Sequence, residues 1–194
     1  MPLRNTETRW GSVAQTFHWL IAALIVAQGA IGLIMVELSL SPTKIKVYAL
    51  HKSIGLTVLA LALLRLIWRA GNRAPHDPAA MPSWQRIAAH VSHVALYALM
   101  LALPLSGWLF NSAANFPLAW FGIVHLPSQT GHVDPALKAF ALSAHVALFW
   151  ILVAVLAAHV AAALWHHYDR RDDVLRRMLP GTRSRMSVST GEPR

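Results

Sequence analysis

Histidines are the residues in this sequence with the clearest capacity for chemistry. The chain has eleven of them and no cysteine. That combination removes disulfides, iron–sulfur clusters, thiolate zinc sites and covalent haem attachment through C-x-x-C-H, and leaves imidazole as the main soft ligand. His145 and His159 share one apolar run, fourteen residues apart. Fourteen residues is close to four helical turns, so both rings lie on nearly the same face, about 21 Å apart along the axis. An imidazole inside a membrane helix is costly and marks function. Two on one stripe, one near each end, point to two ligand sites stacked across a bilayer.

The elements that must hold these rings follow from composition. Of 194 residues, 56% are hydrophobic and 13% charged, against about 25% charged in an ordinary soluble domain. The class expected is an all-α integral membrane four-helix bundle running up-down-up-down. Its helices are predicted over about 16–38, 50–69, 84–110 and 139–166, within one membrane domain of residues 1–178. The first run shows no A-x-A cleavage site and reads as an uncleaved span. The second is charge-free only over Ser53–Leu64, so its ends must snorkel or be sheltered. Ala70 to Ser83 holds Gly71, Pro75, Pro78 and Pro82 and reads as a loop. The third span carries a kink at Pro104. The connection 111–135, rich in Pro, Gly and aromatics, reads as lying on the membrane surface. Residues 179–194 read as a disordered tail.

Charge sets the orientation. With four spans, all thirteen arginines fall on one side or at helix ends facing it, and the four lysines Lys44, Lys46, Lys52 and Lys138 fall on the other. The positive-inside rule then places both termini in the cytoplasm. The net charge of +9 is thus a topology signal rather than a mark of nucleic-acid binding. The lysines have an ordinary reading as surface charge and lipid contact. They have a second as an electropositive entrance, since clustered positive charge raises the on-rate of a small anion.

With this topology the histidines fall at two depths. His18 opens helix one and His159 closes helix four on the inner side; His51 opens helix two and His145 opens helix four on the outer side. The pairs are His18 with His159, and His51 with His145. Two neutral imidazoles facing each other across a bundle form a bis-histidine haem site, because haem iron takes two axial ligands. The expected cofactors are therefore two b-type haems, one per pair. Fourteen residues beyond His18 is Gly32, which leaves room for a flat macrocycle at the outer level. Fourteen beyond His51 is Arg65, a guanidinium at the inner level suited to a haem propionate. Gly55 and Gly107 can likewise admit the ring, although membrane helices also use glycine for close packing. His93, and with it His90, is the rival for the inner site; otherwise it makes a helix contact or serves a quinone site. His166 and His167 read as interfacial, and His76, His125 and His132 as solvated loop residues.

On these residues the chain resembles the bacterial cytochrome b561 family of four-helix dihaem membrane proteins. The matching pieces are Phe17-His18-Trp19, His51-Lys52-Ser53-Ile54-Gly55, His93 with Leu96-Tyr97, Pro104-Leu105-Ser106-Gly107-Trp108, Trp120-Phe121-Gly122, His145, His159 and Arg176-Arg177-Met178. Together they cover nearly the whole chain and are specific as a set; no single piece is. The resemblance implies that helices one, two and four supply the haem ligands, which gives the same four histidines. It implies a bacterial inner-membrane location. It further implies electron transfer to ubiquinone, with superoxide at the periplasmic face as a candidate donor and the lysines as its steering charges. The alternatives are a haem-bearing anchor subunit serving a hydrogenase or dehydrogenase partner and, more remotely, a His-lined metal transporter. Zinc hydrolysis is disfavoured, because no H-E-x-x-H occurs and no carboxylate lies in the core of a span.

Overall fold

A computed structural model describes residues 2–77 and 81–181. Pro78 and most of the expected tail, 182–194, lie outside the described residues. Four helices dominate: α1 (Ser12–Glu37), α2 (Pro42–Ala70), α3 (Ser83–Ala113) and α4 (Pro135–Tyr168). All four are long and apolar enough to cross a membrane, and they pack as a bundle, α1 on α2, α2 on α3 and α3 on α4.

Besides α1, which begins at Ser12 rather than near residue 16, two helices begin earlier than sequence periodicity predicts. α2 starts at Pro42 rather than near Leu50, and α4 at Pro135 rather than near Ala139. The cause is the same at both. Ser41 accepts a hydrogen bond from the Lys44 backbone N–H, and Asp134 from that of Leu137, with a proline at the first helical position each time. A short polar cap followed by proline starts a helix; the same dipeptide read in isolation signals a loop. The extra turns resolve the shortness of the second span, since α2 has 29 residues and Lys44, Lys46 and Lys52 ride on its opening turns.

The connection after α3 holds a two-stranded hairpin, β1 (Leu118–Trp120) and β2 (Val124–Leu126). It is fastened to α2 as well as exposed to its surroundings. The Phe121 backbone N–H donates to Ser53 Oγ and the Trp120 indole to Thr57 Oγ1, each at 3.0 Å. Lys52 Nζ donates to Asn111 Oδ1 at 3.1 Å, tying α2 to the end of α3.

At the opposite, arginine-rich end the chain beyond α4 folds back. Backbone carbonyls of Arg177, Met178 and Leu179 accept from Gln15, Trp19 and Arg9 respectively. Arg177 reaches the His76 carbonyl, and His166 pairs with Asp172. The strap joins α1, α4 and the second loop. Leu179, the first residue of the expected tail, is therefore held in place.

The buried core is small. Ile21, Ala62 and Met100 pack with Phe17, Ile25, Leu61, Tyr97 and Leu101. Large apolar residues such as Val26, Ile67, Ile87 and Phe140 are exposed instead. Side chains of this kind facing outward on every helix belong in a lipid environment, where helices satisfy their own backbone hydrogen bonds.

Candidate functional site

The bundle brings the four predicted histidines together in the predicted pairs. The rings of His51 and His145 have centroids 6.3 Å apart, and those of His18 and His159 are 6.4 Å apart. Two imidazoles on opposite sides of one metal, each with a nitrogen about 2.0 Å from it, have centroids about 6.3 Å apart. Both pairs match that span. Between the two levels lies the apolar cluster of Ile21, Ala62 and Met100, with Leu152 of α4 buried midway between His145 and His159.

The environment of each ring decides what its nitrogens can do. His145 Nδ1 lies 3.1 Å from the Leu103 carbonyl and 3.0 Å from Ser106 Oγ. Ser106 Oγ itself donates back to Leu103 O at 2.7 Å. Two oxygens around Nδ1 hold a proton there and leave the lone pair on Nε2, the tautomer a metal ligand needs. His51 Nδ1 is buried and has no hydrogen-bond partner. A Cβ on Gly32 would come within 3.1 Å of the His51 ring, and one on Gly107 within 3.3 Å of the His145 ring. These glycines therefore make space for the imidazoles. Gly55 faces Gln28, whose amide donates to the His51 carbonyl at 2.7 Å and locks α1 to α2 beside that ring.

At the arginine level Arg65 sits where its spacing placed it, with Nη2 3.3 Å from His18 Nδ1. His93 also comes close: its ring centroid is 5.5 Å from that of His159. That separation is shorter than the trans-ligand span and is a direct edge contact. His90 is exposed. Among the described residues no three His, Cys, Asp or Glu side chains gather to hold a metal ion.

The four lysines share one end of the bundle but differ in freedom. Lys44 donates to the Leu38 carbonyl at 2.6 Å, Lys52 is tied to Asn111 and the Pro117 carbonyl, and Lys138 Nζ lies 6.0 Å from the Phe110 ring centre. Lys46 is exposed. A cavity of about 250 Å³ at this end is bounded by Asn111, Ser112, Asn115 and Pro117, among others, and none of the four histidines lines it.

The donor set fits haem. Both pairs present imidazoles at the right span, one ring has its tautomer fixed, glycines give the rings room, and a guanidinium lies beside the His18 ring. Sequence reading missed Ser106, the Leu103 carbonyl and Gln28 as supporting groups. Only the kink at Pro104 hinted that α3 does something particular near His145.

Comparison with known proteins agrees with the geometry. The sequence profile of prokaryotic cytochrome b561 matches residues 9–181. Cytochrome b561 homolog 2 of Escherichia coli (strain K12) is 35% identical over 180 residues, covering 92% of this chain and 95% of the relative. Cytochrome b561 homolog 1 of the same organism is 33% identical over 130 residues, covering 67% and 73%. A Yersinia pestis protein named "Probable superoxide oxidase CybB" is 30% identical over 173 residues, covering 86% and 93%. With four spanning helices, paired histidines and a profile match over nearly its whole length, the chain belongs to the prokaryotic cytochrome b561 family, multi-pass membrane cytochromes of electron transfer that bind haem b.

Proposed function

We propose that this chain is a dihaem b-type cytochrome of the bacterial inner membrane, moving electrons from a small anionic donor at its lysine end, superoxide being the candidate, to ubiquinone in the bilayer. Both termini lie on the cytoplasmic side in this reading, which rests on the arginine and lysine asymmetry. The observation that carries it is the pair of ring separations, 6.3 and 6.4 Å, at two levels of one bundle. The superoxide candidate draws on the name of the Yersinia relative and on the lysines gathered at one end.

Haem, when bound, supplies the one-electron chemistry. The protein's own residues do the rest. His51 and His145 would hold one haem at the lysine level, and His18 and His159 the other at the arginine level. Leu103 O and Ser106 Oγ hold the proton on His145 Nδ1 and make its Nε2 a stronger donor. Arg65 has no lone pair with which to accept from a protonated Nδ1. Ligation through His18 Nε2 and the present Arg65 contact therefore exclude each other, and ligation frees the guanidinium for a propionate. The apolar cluster between the levels keeps water from bridging them. Lys46, exposed, draws an anion toward this end, while Lys52 both adds charge and braces the α2–α3 corner.

Substitution tests the pairing. His51→Ala and His145→Ala should each leave one haem per chain, with the same remaining visible spectrum. His18→Ala and His159→Ala should remove the other. Loss of both haems from every variant, or of neither, contradicts the assignment.

A further inference from the structure

Among the described residues, two arginines in the arginine-level half of α2 have no anionic partner. Arg65 and Arg69 lie one turn apart, and their guanidinium carbons sit 5.4 and 5.9 Å from the centre of one ring, that of Tyr97. Arg69 is also 5.8 Å from the Trp10 ring centre. Among the described residues the ion pairs are Arg86 with Asp77 and His166 with Asp172; neither Arg65 nor Arg69 reaches a carboxylate. Beside them the Trp68 indole N–H is buried with no acceptor. A cavity of about 20 Å³ opens among Trp10, Arg65, Trp68, Arg69 and Tyr97. That is room for about one oxygen atom or water.

Like charges spaced i, i+4 repel, and a partly buried charge is expensive without a counter-ion. An orphaned indole donor in the same wall adds the cost of an unmade hydrogen bond. The site therefore lacks negative charge, about two units of it, plus an oxygen acceptor. Arg65 also touches His18, so the deficit lies against the arginine-level histidine pair. We propose that Arg65, Arg69 and the Trp68 indole N–H form one cradle that takes both propionates of the haem held by His18 and His159. The inference rests on the dihaem reading and adds Arg69 and Trp68 to it. Carboxylate and phosphate oxygens suit the same donors. Two single charges beside His18 match the propionates, whereas a lipid phosphate brings one charge from the membrane surface.

The test uses purified full-length protein and the variants Arg69→Gln, Arg69→Lys and Trp68→Phe. Haem and phospholipid phosphate are counted per chain. The arginine-level haem, identified as the one His51→Ala retains, is titrated potentiometrically, and its propionate bending bands are followed by resonance Raman. Arg69→Gln should keep two haems, shift the propionate band and lower the potential of that haem by about tenfold in its one-electron equilibrium, about 59 mV. Arg69→Lys should restore most of the potential. Trp68→Phe, with no charge change, should still move the band. Two haems with unmoved propionate bands in both Arg69→Gln and Trp68→Phe overturn the cradle alone. Unmoved bands with loss of bound phosphate assign the site to a lipid and overturn it as well. Absence of haem at the arginine level in the wild type overturns the dihaem reading together with the cradle.

Discussion

His145 and His51 face each other with unequal support. Nδ1 of His145 is held by two oxygens, while Nδ1 of His51 is buried without a partner. A ligand whose far nitrogen donates to oxygen is more basic and favours the oxidised metal. Replacing Ser106 by alanine removes one of the two oxygens and leaves the Leu103 carbonyl. Ser106→Ala should therefore keep both haems and raise the potential of the lysine-level haem by no more than about one tenfold step, about 59 mV, read by redox titration. A fall in that potential, or a shift confined to the other haem, contradicts the role given to Ser106. This residue was visible in sequence only as part of a motif. Its partner is 39 positions away, and no local pattern announces a contact of that range. The four histidines were legible as a set because membrane burial makes histidine rare, and because one helix carries two of them at a helical period.

At the scale of elements, the periodic apolar runs located all four helices, and what they missed was punctuation. Ser41-Pro42 and Asp134-Pro135 act as cap and first turn, so α2 and α4 are longer than expected. The hairpin was not foreseen, since its strands have three residues each and too little alternation to register. Its attachment to Ser53 and Thr57 comes from tertiary contact. Glycine placement reads from sequence as making room, and the rings of His51 and His145 lie against Gly32 and Gly107. Gly32 lets α1 approach the His51 ring closely. Gly32→Leu should displace that ring and cost the lysine-level haem while sparing the other, giving one haem per chain by pyridine haemochrome assay. Two fully occupied haems in that variant mean the ring has another place to go, and the close approach is not what seats it.

Across the whole molecule, charge is divided by end. Basic residues on the strap and second loop close one end, where carbonyls 177–179 are bound by α1 and the preceding segment. Lysines mark the other. Three of the four lysines are engaged in local contacts, so neutralising them disturbs structure as well as field; Lys52 in particular braces α2 against α3. Lys46 is the clean probe. Lys46→Gln should leave haem content and melting temperature unchanged, slow superoxide oxidation several-fold at low salt, and flatten its ionic-strength dependence, as expected for steering over a Debye length of about 10 Å at 0.1 M. An unaltered salt profile counts against an electropositive entrance. The sequence carried this division of charge openly, because membrane orientation selects it. It did not carry the strap, whose bonds are to backbone carbonyls that every residue offers alike.

The central claim is that two histidine pairs hold two haems. The measurement that meets it most directly is a reduced-minus-oxidised visible spectrum of detergent-purified protein, with haem extracted and counted per chain. Two b-type haems per chain are expected, both low-spin with bis-histidine ligation. One haem would break one pair, with His93 then in contention at the arginine level. None, from cells able to make and insert haem, would contradict the account outright.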